Sequence, residues 1–291
     1  MQLEKFNHKE LEEVGCPTCK KSSRSLLHKY SKICFYRCSS CDLEYASPRL
    51  KERDLIDLYQ GDDWRIYSDF ANWNYDKWLR DKDKTFHLVN LNLRLVSNFI
   101  DNKSNILDVG CDIGLTVRML NENGFNCEGI EVSEISTKIA NEIVKANVKN
   151  TSLASYKSKI KFDGILLRAV LEHLYNPVNV LEDCAKNLKK GGLIFIDVPH
   201  SRGISTRFKK FLHKIKIKKD YRHFGFPAHL YSFNKKSLTS MLDKAGFDPI
   251  HFESWPKALT NGKVSFLNYY LVMLQRRFCL TDYINVVARK R

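Results

Sequence analysis

No stretch of the chain approaches the roughly 18 consecutive uncharged apolar residues of a membrane-spanning helix, so none is expected. The opening MQLEKFNHKE contains acids and lacks an apolar core, so it does not read as a secretion signal. No internal repeat recurs at about 20–50 residues, which excludes solenoids and propellers. Low-complexity stretches are missing too. With 43% hydrophobic and 28% charged residues, disorder and fibrous architectures are excluded. The 291 residues suffice for one large domain or two modest ones.

Acid is scarce relative to base, 33 against 48, and the net charge is +15. The imbalance is local. Residues 61–199 carry 18 basic and 19 acidic side chains, whereas residues 200–223 carry 9 and 1 and residues 251–291 carry 7 and 2. That distribution indicates an anion-facing patch rather than a general nucleic-acid coating.

Nine cysteines without an export signal point to reduced thiols or metal ligands in a cytoplasmic protein. Four of them, Cys16, Cys19, Cys38 and Cys41, follow C-x2-C-x18-C-x2-C. Two such knuckles on a hairpin supply four thiolates to a tetrahedral zinc ion at about 2.3 Å each. With every position taken by protein, the zinc is expected to be structural. Cys34, Cys111, Cys127, Cys184 and Cys279 read as buried small apolar residues.

Three regions follow from composition: a zinc ribbon over 1–50, an aromatic-rich cover over 51–84, and an α/β domain over 85–291 with a basic lid insertion near 201–228. The cover holds Tyr59, Trp64, Tyr67, Phe70, Trp73, Tyr75 and Trp78. In the third region strands are expected at Asn105–Gly110, Cys127–Glu131, Phe162–Ala169, Leu193–Val198 and Tyr283–Ala288. Helices are expected at Leu115–Asn123, near Glu134–Ala146, after the N-cap pair Asn176–Pro177 up to Gly191, and through Leu238–Ala245 up to Gly246. This alternation predicts one doubly wound sheet.

The turn LDVGCDIG (107–114) joins the first strand to its helix, and its glycines let backbone approach a ligand at the carboxyl edge of the sheet. Glu131, 21 residues beyond Gly110, ends the second strand and can accept both hydroxyls of a ribose. A dinucleotide fingerprint would need glycines where Asp112 and Leu115 stand, so NAD is disfavoured.

Together with CDLEYASPR (41–49), EGIEVSE, FDGILLRAVLEHLYNP (162–177), LKKGGLIFIDVPH (188–200) and HLYSF (229–233), this turn resembles class I S-adenosylmethionine-dependent methyltransferases, specifically bacterial ones with an N-terminal zinc ribbon. The resemblance implies a mostly parallel, Rossmann-like sheet of seven strands. It implies that Asp108, Gly110, Cys111 and Gly114 shape the methionine pocket and that Glu131 holds the ribose. Val132, Ser133, Ser152 and Leu153 would flank the adenine, and Arg168 and Ala169 would line the methionine side. Asp112 departs from the family's middle glycine, although aspartate tolerates left-handed backbone better than most residues.

Methyl transfer to a neutral hydroxyl benefits from a general base, for which His229, His200 and His173 are the candidates, with His223 also nearby in sequence. The resemblance points to O-methylation of a small molecule or a glycan precursor, such as a nucleotide- or lipid-linked sugar. In the basic segment Arg207–Lys219, the residues Phe208, Phe211, Leu212 and Ile215 form one helical stripe between lysines. That segment reads either as a lid with a solvated basic face or as a contact for a phosphorylated acceptor or an anionic membrane at the inner face. An RNA base methyltransferase and a non-catalytic partner-binding module are the alternatives. Asp62, Asp63, Asp69 and Asp76 among the aromatics count against RNA.

Overall fold

The computed structural model describes residues 10–30, 32–54, 82–215, 229–255 and 278–291. The aromatic run from Tyr59 to Trp78, the cations Lys216, Lys218 and Lys219, and His223 lie outside the described residues.

The N-terminal part is built of short strands: β1 (Leu11–Glu12), β2 (Arg24–Tyr30), β3 (Ile33–Cys38), β4 (Glu44–Ser47) and β5 (Arg49–Leu50). Then come α1 (Lys82–Ser97), β6 (Asn105–Val109), α2 (Leu115–Glu122), β7 (Asn126–Glu131) and α3 (Glu134–Ile139), which runs into a π turn at Ala140–Val144. The rest is β8 (Val148–Asn150), β9 (Phe162–Arg168), α4 (Pro177–Asn187), β10 (Leu188–Pro199), α5 (Ile204–Lys214), β11 (Tyr231–Ser232), α6 (Lys235–Lys244), β12 (Phe247–Trp255) and β13 (Tyr283–Lys290).

Seven strands form the main sheet in the order β12-β13-β10-β9-β6-β7-β8. All ladders from β10 to β8 are parallel, and β13 runs antiparallel to both its neighbours. The expected doubly wound, mostly parallel seven-stranded sheet is therefore present. Strand order reverses between β6 and β9, so their carboxyl ends frame the crevice where such sheets bind ligands.

Both faces of the sheet are covered, as alternate residues show. Leu107, Val109, Ile165, Leu167, Ile194 and Ile196 pack with Leu181 and Cys184 of α4 and Leu238, Met241 and Leu242 of α6. Their neighbours Ile106, Leu166 and Phe195 pack on the other side with Leu95 and Val96 of α1, Val117 and Leu120 of α2, and Val144. The first of these cores also takes in Cys16, Cys38, Cys41, Leu43 and Tyr45, so the N-terminal strands share the core of the α/β sheet. Their own sheet, in the order β11-β4-β3-β2, takes β11 from the C-terminal half of the chain as its edge.

Arg49 holds the two parts together. It donates to the carbonyl of Tyr175 (3.0 Å) and to the hydroxyl of Tyr231 (2.6 Å), pairs with Glu12 at 3.1 Å and stacks 3.7 Å from the Tyr175 ring.

Several local expectations need correction. Helix α4 ends at Asn187, and Gly191 lies instead inside β10, where its φ of +72° accommodates the irregular register between Leu188 and Leu193. Asn176 stands at the N-cap, but its side chain makes no capping hydrogen bond. Cys111, Cys127 and Cys184 are buried, whereas Cys34 and Cys279 are only half-buried. Most of the stripe of α5 does not face the protein: Phe208, Phe211 and Ile215 are exposed and only Leu212 is half-buried, while the polar side of the helix docks.

Candidate active site

The turn after β6 is built for close approach of backbone. Gly110 has φ +68°, and a Cβ there would lie 2.7 Å from Val170 Cγ2. Gly114 (φ +72°) lets α2 start against Ala146, 2.7 Å from where its Cβ would be. Between them Asp112 adopts φ +50°, the left-handed conformation that its sequence position requires. Asp112 Oδ1 accepts from the Ser136 hydroxyl at 3.0 Å, which ties the turn to α3.

Glu131 is fixed from both sides. One carboxylate oxygen accepts from the Asp112 N–H (3.0 Å) and the other from the Ser133 N–H (2.9 Å). Burial raises its pKa, and these backbone donors oppose the rise. Ser133 caps α3 by accepting from the Ser136 N–H, and Val132 beside it is exposed. The loop carrying Ser152 and the buried Leu153 begins where Thr151 N–H donates to the Glu131 carbonyl, so these residues stand next to Glu131. Cys111 points inward, with Sγ 2.5 Å from where a Cβ on Gly129 would sit, so toward a ligand it offers only backbone.

Across the crevice, Arg168 donates to Asp197 Oδ2 at 2.8 Å, with both side chains largely buried. Burial pushes the Asp108 carboxyl up to about 7, with the Arg168 charge pulling the other way. Asp197 is raised for the same reason. Ala169 has φ +51°, and its N–H donates to the Asp197 carbonyl. A non-glycine residue in that conformation is held there by its surroundings.

The structure brings two of the three candidate histidines together. His173 and His229 meet edge to face, with ring centroids 4.6 Å apart, because the Leu230 N–H donates to the Glu172 carbonyl. Glu172 completes the group, and the three ligand-type atoms lie within 4.8 Å of one another. The Glu172 carboxyl is fully buried, has no hydrogen-bond partner among the described residues and is held well above the usual carboxylate range by burial. Two imidazoles and a carboxyl at this spacing can hold a divalent cation or pass a proton. His200 stands outside this group. It is buried, with Nδ1 on the Thr281 carbonyl at 3.1 Å, and burial lowers its pKa.

The four ribbon cysteines converge. Sulfur separations are 3.4 Å for Cys16–Cys41, 3.2 Å for Cys19–Cys38 and 3.7 Å for Cys19–Cys41. A tetrahedral ion with thiolates at about 2.3 Å has edges of about 3.8 Å. Both knuckles close through a backbone bond, Lys20 N–H to the Cys16 carbonyl and Asp42 N–H to the Cys38 carbonyl. The contact between the Cys16 and Cys41 sulfurs pushes the Cys16 thiol up and pulls the Cys41 thiol down.

Against this geometry, the methyltransferase domain family matches residues 80–252, more than half of the sequence. The chain belongs to the methyltransferase domain family. It is an S-adenosylmethionine-dependent methyltransferase of class I fold. The match begins at residue 80, so the cysteine ribbon of this methyltransferase lies outside it.

Among solved structures, magnesium protoporphyrin IX methyltransferase from Synechocystis PCC 6803 with bound SAH is similar at TM-score 0.54 and 13% identity, covering 83% of this chain and all of the other. A SAM-dependent methyltransferase from Thermotoga maritima, described as a possible histamine N-methyltransferase, reaches 0.53 and 16%, covering 78% and 99%. In sequence, a ubiquinone biosynthesis O-methyltransferase from Coxiella burnetii is 28% identical over 207 residues, 64% of this chain and 83% of that protein.

Sequence reasoning missed Glu172, Asp197 and Arg49. Glu172 had a signal in its own neighbourhood, an acid next to a histidine within an apolar run. Arg49 had none, because its partners lie 126 and 182 residues away.

Proposed function

We propose that this methyltransferase methylates a hydroxyl oxygen of a small-molecule acceptor. The observation that carries the reading is the contact of His173 with His229 beyond the carboxyl end of β9, beside the turn that would hold the cofactor. The name of the Coxiella burnetii relative, ubiquinone biosynthesis O-methyltransferase, supports oxygen as the methylated atom.

The residues present fit S-adenosylmethionine. Glu131, its carboxylate oriented by two backbone donors, takes the ribose hydroxyls. Val132, Ser133, Ser152 and Leu153 flank the adenine. Gly110, Gly114, Asp108 and the backbone of Cys111 shape the methionine side, with Arg168 and Ala169 opposite. When bound, the cofactor supplies an electrophilic methyl group on a sulfonium. The His173–His229 pair takes the acceptor's hydroxyl proton on a ring nitrogen as that oxygen gains the methyl group. His200, buried and bonded to a carbonyl, positions the segment after β10 rather than meeting the acceptor. Cys16, Cys19, Cys38 and Cys41 hold a structural zinc ion that closes the ribbon.

The test is methyl-labelled S-adenosylmethionine offered with phenols and catechols, with nucleotide- and lipid-linked sugars, and with RNA. Label on a hydroxyl oxygen of a small-molecule acceptor is expected, and His229→Asn or His173→Asn should lower kcat about 100-fold or more with cofactor affinity unchanged. Label on sugars alone would move the acceptor to the glycan class. Label on RNA, or none from a cofactor-loaded protein, overturns the reading.

A further inference from the structure

Helix α5 is amphipathic in the opposite sense to a packed lid. Ile204, Phe208, Phe211 and Ile215 recur at i, i+4, i+7 and i+11, and they are 50%, 59%, 55% and 45% exposed. None of the helix's side chains is fully buried. Its polar side makes the attachments. Ser205 donates to Asp282, and Lys210 donates to both Glu44 oxygens at 2.8 Å and to the Ser201 carbonyl at 3.2 Å. His213 meets His28 edge to face at 4.8 Å. A helix that draws a lysine inward and turns two phenylalanines outward presents its apolar stripe away from the described residues, as a surface open to a partner.

The borders of the stripe identify that partner. Arg207 and Lys214 lie along one side, both exposed. No acid occurs between Asp197 and Asp220. Large apolar side chains bordered by cations without acids complement an anionic lipid surface. A second copy of this chain fits poorly, because a twofold contact across the stripe would set these cations against their own copies.

We propose that α5 is a peripheral membrane anchor that lays Ile204, Phe208, Phe211 and Ile215 into the headgroup boundary of an anionic bilayer. The helix begins four residues after His200, at the carboxyl end of β10. Anchoring therefore turns the edge that carries the candidate active site toward the lipid. The anchor is independent of which acceptor is methylated.

Co-sedimentation of the full chain with phosphatidylcholine vesicles, with and without phosphatidylglycerol, tests it. Binding is expected to the vesicles containing phosphatidylglycerol and should weaken with salt. Phe208→Ser with Phe211→Ser should lower partitioning about tenfold or more. Arg207→Gln with Lys214→Gln should lower it about fivefold per charge removed. All four side chains are exposed, so circular dichroism and S-adenosylmethionine affinity should match the parent protein. Those readouts separate a failure of the anchor from a failure of the methyltransferase reading. The proposal is overturned if the protein stays in the supernatant, or if the phenylalanine variant binds as the parent does. It is also overturned if that variant instead dissolves a dimer seen by light scattering.

Discussion

Replacing Gly110 by alanine separates two costs that the turn after β6 combines. An L-residue at φ +68° costs about 1–2 kcal/mol against glycine. The new methyl would also lie 2.7 Å from Val170 Cγ2, well inside the roughly 3.5–4.0 Å of carbon contact. Val170 is β-branched and has little rotamer freedom to yield, so overpacking adds about 1–3 kcal/mol. The sum for Gly110→Ala is about 2–5 kcal/mol, a large share of the about 5–15 kcal/mol that a folded domain holds.

Two other glycines isolate the parts. Gly246 has φ +82° and open space around it, so Gly246→Ala should cost only the backbone share, about 1–2 kcal/mol. Gly129 lacks a left-handed φ but faces Cys111 Sγ at 2.5 Å and Val117 Cγ2 at 2.9 Å, so Gly129→Ala should cost only the packing share. Adding Val170→Ala to Gly110→Ala should relieve the contact and leave the backbone cost. Urea unfolding of the five proteins gives the energies, and calorimetric titration with S-adenosylmethionine reads the turn itself. Affinity should fall at least about tenfold in Gly110→Ala, since the Asp112 N–H that orients Glu131 moves with the turn. If Gly110→Ala is no less stable than Gly246→Ala and binds cofactor normally, the close approach to Val170 is not what shapes this turn.

Three further outcomes are expected. Glu131→Ala should weaken S-adenosylmethionine about 10- to 100-fold in the same titration, the size of a charged hydrogen bond, and parent-like affinity would remove Glu131 from the site. Asp108 has a folded pKa of about 7, above its unfolded value, so its contribution is fully present in acid and lost as the pH rises toward 7. Parent stability should therefore fall relative to Asp108→Asn by up to about 1.4 kcal/mol per pH unit between about pH 4 and 7. A difference that stays flat across that window refutes the raised pKa. Elemental analysis should find one zinc per chain, and both chelation and Cys16→Ser should lower the melting temperature; a metal-free protein of unchanged stability would dismiss the zinc ribbon.

Most of the sheet was legible along the chain, because a buried parallel strand is a continuous apolar run and its helix carries a 3.6-residue period. Asn105–Val109, Phe162–Arg168 and the turn between β6 and α2 show it. The limit shows at Gly191, where the glycine marks a left-handed residue inside β10 rather than a helix stop, since φ alone does not say which element contains it. The histidines show it again. Position in the sequence favours His229 and His200 over His173, yet the Leu230–Glu172 hydrogen bond brings His229 to His173, 56 residues away, while His200 turns to Thr281.

What the sequence alone determined is local: the two cysteine knuckles, the glycine turn with its acid 21 residues on, and the alternation of apolar strands and helices. These are read within one or two elements, where spacing and period map directly onto geometry. Tertiary structure decided the rest. Tyr231 and Ser232 complete the ribbon's sheet, and Arg49 clamps the ribbon to the loop after β9. The orientation of α5 belongs here too. Its periodicity identified the apolar stripe but not the direction it faces, because that direction depends on Glu44, 166 residues earlier, drawing Lys210 inward and leaving the phenylalanines outside.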